Sequence, residues 1–123
     1  MSLLVNIIAK DNTFNISEIE KEIQYPHNSL FGFESWRHEL WGHEIMQLIN
    51  CKMLYSLKSE DVYVYDSDIQ KLKIELNQVL TNLDRISRAT TIDKKAIQFR
   101  VFNALETIKI AEKYSEYVGI VLW

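Results

Sequence analysis

The sequence predicts a single α+β domain, mainly α-helical, over residues 1–123. We expect an antiparallel hairpin of two long helices and a central helix, packed with a small sheet that pairs an N-terminal with a C-terminal strand. Apolar residues recur at helical spacing over residues 67–114, and short apolar runs rich in β-branched residues lie at residues 3–8 and 117–123. A chain of 123 residues also has the usual size of one domain.

The N-terminal part begins with a predicted strand. The Leu, Val and Ile residues at 3–8 are typical of a buried strand, and turn-forming residues at 11–13 end it. Alternation of apolar and polar residues at 14–16 predicts a second short strand. A Ser followed three residues later by Glu forms a capping box, which predicts a short helix over residues 17–24. The only Pro disfavours helix beyond this point, so residues 25–29 are expected to form a loop.

The central stretch, residues 35–50, is predicted to form one helix capped by Ser35. Its apolar residues follow a period near 3.6, but Gly42 interrupts the pattern. An interior Gly either costs about 1 kcal/mol in a continuous helix or divides the helix in two, and it also lets another backbone come close. We expect the continuous helix. Residues 51–65 should then form an irregular connection, with a short edge strand at 62–65.

The clearest helical pattern covers residues 67–86. A Ser-Asp-Ile-Gln capping box opens it, and its apolar residues recur over about six turns. Residues 87–91 are expected to form the turn, and a second long helix should follow over residues 92–114. Two long helices joined by a short turn pack as an antiparallel hairpin. The apolar run at 117–123 is expected to pair with the strand at 3–8.

Charge and cysteine content limit the classes of partner. The net charge of −3 gives no electrostatic reason to expect a nucleic-acid partner. The single Cys51 cannot form an internal disulfide, and without a secretory signal it predicts a cytoplasmic protein. No apolar run reaches the roughly 20 residues of a membrane helix, so no membrane partner is expected. The acidic balance also favours a solvated turn over a phosphate-facing patch for the basic residues around the hairpin turn, which are Arg85, Arg88, Lys94, Lys95 and Arg100.

A pair of histidines has the residue types of a zinc-binding helix but not its spacing. That motif places two His four residues apart, with a Glu directly after the first. His38 and His43 are five residues apart, about 140° around a helix, and therefore diverge. They are weak candidates for a metal site. The chain lacks a glycine-rich nucleotide loop and a Gly-x-Ser-x-Gly elbow, so neither a cofactor nor a catalytic residue is predicted.

The aromatic beginning of the central helix is the candidate binding site. The functional hypothesis is a polar cluster in an aromatic-walled cleft. The structural alternative, which the pattern favours, is a helix whose Trp residues fill the core while its charges face water. Arg37 is singled out because an Arg among aromatic residues either stacks on them or orders a loop by bonding backbone carbonyls. The candidates are Glu34, Trp36, Arg37, His38, Glu39 and Trp41.

A second candidate is the tyrosine-rich strand. Tyr63 and Tyr65 either form an exposed aromatic edge that binds a second chain or pack on the helix hairpin, and the sequence leaves both open. Since catalytic motifs are absent, we expect a small, soluble, bacterial-type domain that acts by binding a protein, as immunity and antitoxin proteins do, or by forming a homodimer. The alternative is a small ligand- or metal-binding enzyme with its site in the central helix.

Overall fold

The computed structural model describes residues 1–11 and 14–123. Its strands are β1 (Ser2–Ala9), β2 (Leu30–Phe33), β3 (Val62–Val64) and β4 (Val118–Leu122). They form one antiparallel sheet in the order β2-β1-β4-β3. The predicted pairing of the N-terminal with the C-terminal strand is confirmed, because β1 and β4 are neighbours over five residue pairs, from Val5 opposite Leu122 to Ala9 opposite Val118.

Helices occupy much of the remaining chain, so the predicted α+β, mainly α class is confirmed. The helix α6 packs against α4 and α5, and it also contacts β1, β2 and β4. Helices therefore cover one face of the sheet. The helical segments are α1 (Ile16–Glu20), a π-helical turn (Arg37–Trp41), α2 (Ile45–Leu48), α3 (Lys52–Ser56), α4 (Ser67–Thr81), α5 (Leu83–Thr90) and α6 (Lys94–Lys113).

The side chains of β1 show that the two faces of the sheet have different environments. Leu3, Val5 and Ile7 are buried in the core under the helices. Leu4 and Asn6, which lie between them, remain partly exposed. Because successive side chains of a strand point to opposite faces, the sheet has a buried face toward the helices and an opposite face that is not covered in the same way.

The first hairpin helix is shorter than predicted. The apolar pattern over residues 67–86 predicts one helix, but α4 ends at Thr81 and α5 begins at Leu83. Asn82 separates them with a backbone φ of −114°, and its side-chain nitrogen donates to the Gln78 carbonyl at 2.8 Å. An amide side chain that bonds the nearby backbone competes with helical bonding. The apolar residues keep a helical period across the break, so the sequence pattern does not reveal where α4 ends.

The turn between the long helices also differs from the prediction. The sequence predicts it at residues 87–91, whereas α5 continues and the chain turns at 91–93, beginning with Thr91 at φ 61°. The helix α6 then starts after Asp93, whose carboxylate accepts a hydrogen bond from the Ala96 N–H at 3.2 Å. This side-chain cap satisfies one of the free N–H groups at the helix start and fixes the boundary.

Near the N terminus, the prediction of a second short strand at residues 14–16 is wrong, because α1 already begins there. The helix is also shorter than the predicted range 17–24. Its cap residue is Asn15 rather than Ser17, and the Ser17 hydroxyl donates to the Asn15 side-chain oxygen at 2.7 Å. The turn predicted at residues 11–13 lies in part outside the described residues.

The predicted continuous helix over residues 35–50 is wrong, since the π-helical turn and α2 are separated at Gly42. A Cβ on Gly42 would collide with the Arg37 carbonyl oxygen and with Lys58. Glycine therefore lets two other parts of the chain come close at this point. The sequence allows this division as an alternative, and the tertiary contact with Lys58 explains why it occurs.

The connection over residues 51–65 is more regular than predicted, because it contains α3. The Glu75 carboxylate caps α3 by accepting hydrogen bonds from the backbone N–H groups of Met53 and Leu54, both at 3.0 Å. No local sequence signal marks this helix start, because its cap comes from a distant part of the chain. The expected edge strand at 62–65 is confirmed as β3, which lies outermost beside β4.

Candidate functional site

The aromatic residues of the central segment are part of the core. Trp41 is fully buried and stacks on Phe31 with ring centroids 4.4 Å apart, and its Nε1 donates to the Phe31 carbonyl at 3.1 Å. Trp36 meets Trp41 edge to face at 6.4 Å. A Cβ on Gly32 would overlap the Trp36 indole, so this glycine, with φ 121°, lets the ring lie directly on β2. Both Trp side chains therefore join the sheet to the central segment.

Arg37 stabilises the loop between α3 and β3 through hydrogen bonds and ion pairs. Its Nε donates to the Glu34 carboxylate at 2.9 Å, and one terminal nitrogen donates to the carbonyls of Leu57 at 3.0 Å and Glu60 at 3.3 Å. The other terminal nitrogen lies 3.2 Å from the Asp61 carboxylate. The hydrogen bond to Glu34, with the nearby carboxylate charges, raises the pKa of Arg37 above its ordinary value. The sequence leaves two roles open for this Arg, stacking on aromatic rings or bonding backbone carbonyls, and the structure shows the second.

The other polar candidates of the central segment do not converge with Arg37. His38 and Glu39 are exposed. Nδ1 of His43 accepts a hydrogen bond from the Ile45 N–H at 3.0 Å, so this nitrogen is already bonded. Among the described residues, no group of three or more His, Cys, Asp or Glu side chains is arranged to hold a metal ion. The binding role of the six central residues stays a prediction.

Two buried groups that could carry chemistry are held in structural positions. The Sγ of Cys51 donates to the Glu75 carbonyl at 3.4 Å, and burial raises the pKa of this thiol to about 12. A thiol with so high a pKa has almost no reactive thiolate at neutral pH. Burial also raises the pKa of the Glu75 carboxyl, although its two backbone hydrogen bonds oppose the shift. The role of Glu75 has no local signal in the sequence, because the backbone groups that it binds are more than twenty residues away.

The sheet face opposite the helices is the second candidate site. Because side chains alternate along a strand, residues in register with Leu4 and Asn6 share this face. Three of its aromatic side chains stay about half exposed: Tyr63 at 59%, Phe33 at 56% and Trp123 at 50%. Aromatic surface of this extent is left uncovered by the fold itself. We call this surface the open face, and it consists of Leu4, Asn6, Ile8, Leu30, Phe33, Tyr63, Val121 and Trp123.

Trp123 is fixed on the open face by three hydrogen bonds. The Leu4 N–H donates to the Trp123 carbonyl at 2.8 Å, and the Trp123 N–H donates to the Leu4 carbonyl at 3.0 Å. The indole Nε1 donates to the Asn6 side-chain oxygen at 2.8 Å. The indole is therefore exposed but oriented, and it would lose little conformational freedom on contact with a partner.

Tyr63 and Tyr65 occupy different environments. Bonded and non-bonded pairs alternate along an antiparallel ladder. Leu4 and Trp123 form a hydrogen-bonded pair, so Val121, two residues earlier on β4, also directs its N–H and C=O groups toward β1. Tyr63, which lies opposite Val121, therefore directs its own N–H and C=O groups away from β4, toward the free edge of the sheet. Tyr65 instead packs on Gly119, where a Cβ would collide with its ring. The interface role predicted for both tyrosines stays a prediction, but only Tyr63 has its ring largely exposed.

Comparison with protein-family models, curated proteins and solved structures finds no match for this chain. Function is therefore argued from the site itself. None of the helices in the described residues is both long and apolar enough to cross a membrane. Two regions remain as candidates: a central segment whose aromatic residues are buried, and an open face whose aromatic residues are exposed.

Proposed function

We propose that this chain is a non-catalytic protein-interaction domain that binds another protein through the open face. The observation that carries this proposal is the exposure of Phe33, Tyr63 and Trp123 on one side of a sheet whose other side is buried. These side chains lie on a broad strand surface rather than in a concave pocket. Such a surface suits a protein partner better than a small molecule, which needs enclosure on most sides.

The exposed aromatic surface extends across the sheet, from Phe33 on the edge strand β2 to Tyr63 on the edge strand β3. The three rings together expose roughly 300 Å², taking about 150–250 Å² for a whole aromatic side chain. Exposed apolar patches of roughly 300–600 Å² on a monomer are often functional. One partner in a standard interface covers about 800 Å², so the rings would account for less than half of the contact. The remainder would be a polar rim.

Polar groups at the margin of the open face can supply this rim. Ser2 lies opposite Phe33 in the register, and Asn6 already orders Trp123. Lys10 forms an ion pair with Asp66 at 2.6 Å beyond β1 and β3. Interfaces combine a central aromatic cluster, in which Tyr and Trp contribute most of the binding energy, with a polar surround that excludes water. The open face carries exposed aromatic side chains on β2, on β3 and directly after β4, with polar groups at its margin.

Immunity and antitoxin proteins, which act by covering the surface of another protein, are one class with such an activity. The alternative, an enzyme built on the central segment, has no observation in its favour. Arg37 is engaged by the chain's own carbonyls and carboxylates, and both Trp side chains are buried. We therefore retain the binding function and propose it for the open face alone.

The test compares tagged wild-type protein with the double variant Tyr63→Ser/Trp123→Ser in cells of the source organism. Ile74→Ser is the matched control, because Ile74 is 53% exposed and lies on α4, away from the sheet. We expect one protein to be recovered in constant proportion with wild type and with the control, and to be lost with the double variant. Recovery that does not differ between the double variant and wild type would contradict the proposal.

The same variants test whether the partner is a second copy of the chain. Light scattering of purified wild type across a dilution series should then show a dimer that dissociates on dilution. The double variant would have the mass of one chain at every concentration, while Ile74→Ser would behave as wild type. A dimer that persists in the double variant would place the self-contact on another surface.

A further inference from the structure

We propose that a cleft at the junction of α4, α5 and α6 binds a small ligand that carries several phosphate charges. The cleft has a volume of about 490 Å³. This is within the range of roughly 300–1,000 Å³ found for small-molecule sites. Its cationic side chains come from both sides of the hairpin turn: Arg85, Arg88, Lys94 and Lys95.

The cleft concentrates positive charge in an acidic protein. Its four cationic side chains face one acidic residue, Asp84, so its net charge is +3. The whole chain has a net charge of −3, which leaves −6 for the rest of the molecule. The sequence favours a solvated turn for these residues, but the fold gathers four of the five around one concave surface. Concave walls lined by a single sign of charge raise the local concentration of the opposite ion.

Three of these cations have no partner within the described residues. Lys94 pairs with Asp84 at 3.0 Å, whereas Arg85, Arg88 and Lys95 form neither an ion pair nor a side-chain hydrogen bond there. By contrast, the ion pairs of the described residues engage seven of the fourteen Lys and Arg side chains with a carboxylate, and Arg37 with two. The charge in the cleft is thus not neutralised by the protein itself.

The local backbone adds to the positive potential. Lys94 and Lys95 are the first two residues of α6, a helix of 20 residues that has no acidic side chain in its first turn. The N-terminal end of a helix carries a partial positive charge, so cations at this position oppose the helix dipole, while the capping carboxylate of Asp93 supplies one negative charge against these two cations. An anion bound between α5 and α6 would relieve both this opposition and the mutual repulsion of the side chains.

The residue types indicate phosphate as the anionic group. Arg85 and Arg88 are three residues apart on α5 and so lie on neighbouring positions of one helix face. Guanidinium groups bind phosphate oxygens through two parallel hydrogen bonds, while Lys acts as a point charge. The other lining residues are mixed, with Leu80 and Leu83 beside Asn82, and can contact the remainder of a ligand. A long nucleic acid is disfavoured because the rest of the chain would repel it.

Calorimetric titration with inorganic triphosphate at physiological ionic strength tests the proposal. We expect one binding site per chain in wild type. The double variant Arg85→Gln/Arg88→Gln should bind about tenfold more weakly or worse. The control Lys52→Gln/Lys109→Gln removes two exposed cations outside the cleft and should bind as wild type. Thermal melting verifies folding, and triphosphate should raise the melting temperature of wild type and of the control only.

Three results would overturn the proposal. Triphosphate could fail to bind wild type, the cleft variant could bind it as tightly as wild type, or the control could lose as much affinity as the cleft variant. Displacement of triphosphate by a short single-stranded oligonucleotide that binds more tightly would replace the small ligand with a nucleic acid. The cleft does not involve the open face, so Tyr63→Ser/Trp123→Ser should bind triphosphate normally. Failure here is therefore distinguishable from failure of the proposed function.

Discussion

The central segment and the open face contain similar aromatic residues but differ in what surrounds them. Trp36 and Trp41 are buried among other rings in the core. Tyr63 lies on β3 and Trp123 directly follows β4, and both expose half or more of their surface. Composition alone therefore does not distinguish a structural site from a binding site. The distinction depends on whether the fold itself supplies the contacts that the side chains require.

The arginines show the same contrast. Arg37 has four partners within the chain, whereas Arg85 and Arg88 have none among the described residues. Substitution of Arg37 is expected to lower the free energy of unfolding. Substitution of an unpaired cation in the cleft is expected to weaken ligand binding. Substitutions in these regions should therefore separate effects on folding from effects on binding.

The largest effect is expected for Trp36→Ala. Truncation of a buried Trp removes transfer free energy and leaves a cavity, so we expect a loss of roughly 3–5 kcal/mol in the free energy of unfolding. The exposed Trp123→Ala should lose less than half of that. Urea unfolding followed by circular dichroism measures both variants. Equal losses for the two variants, or wild-type stability for Trp36→Ala, would remove the contrast between the regions.

Arg37→Ala should have the next largest effect. The change leaves the Leu57 and Glu60 carbonyls without their donor and frees Glu34 and Asp61, so we expect a loss of roughly 2 kcal/mol. Arg88→Ala should change the stability by no more than about 0.5 kcal/mol, as for most exposed residues. Hydrogen exchange should also show faster opening of residues 57–61 in Arg37→Ala. Comparable losses of stability in the two variants would contradict the stabilising role of Arg37.

A smaller effect is expected from the pH dependence of Glu75. Its pKa is raised in the folded state above 4.5, so the folded protein holds the proton more tightly than the unfolded chain does. The stability of wild type relative to Glu75→Gln should thus increase as the pH falls from neutral through the raised pKa, and level off below about 4.5. Urea unfolding of both proteins at several pH values measures this difference. A difference that decreases on acidification would contradict the shift.

The outline of the fold is predictable because it depends on local apolar patterns. Each major element has an apolar pattern that can be recognised within its own segment. This holds for the strands at residues 3–8 and 117–123 and for the hairpin helices. The breaks are less visible. Asn82 interrupts α4 and α5 through a side-chain bond to its own backbone, and Gly42 interrupts the central helix because Lys58 approaches it. Such contacts depend on the folded arrangement and leave little trace in the local sequence.

The candidate sites are predictable only in part. The sequence offers Tyr63 and Tyr65 as interface candidates, and it leaves two roles open for Arg37, stacking on aromatic rings or bonding backbone carbonyls. It does not show which face of the sheet the helices leave uncovered, and so it cannot add Phe33 or Trp123 to the open face. Likewise, the basic residues near the hairpin turn are visible in the sequence, but the cleft between α4, α5 and α6 that they line is a property of the folded arrangement.

Photo-crosslinking from the open face tests the proposed binding function most directly. Tyr63 is replaced by benzoylphenylalanine in the cells that produce the protein, and Ile74, with similar exposure on α4, is replaced in the same way as the control. Ultraviolet irradiation should join the chain to one protein partner, or to a second copy, from position 63 and not from position 74. Crosslinks that are absent from position 63, or that form equally from both positions, would contradict the proposal that the open face binds protein.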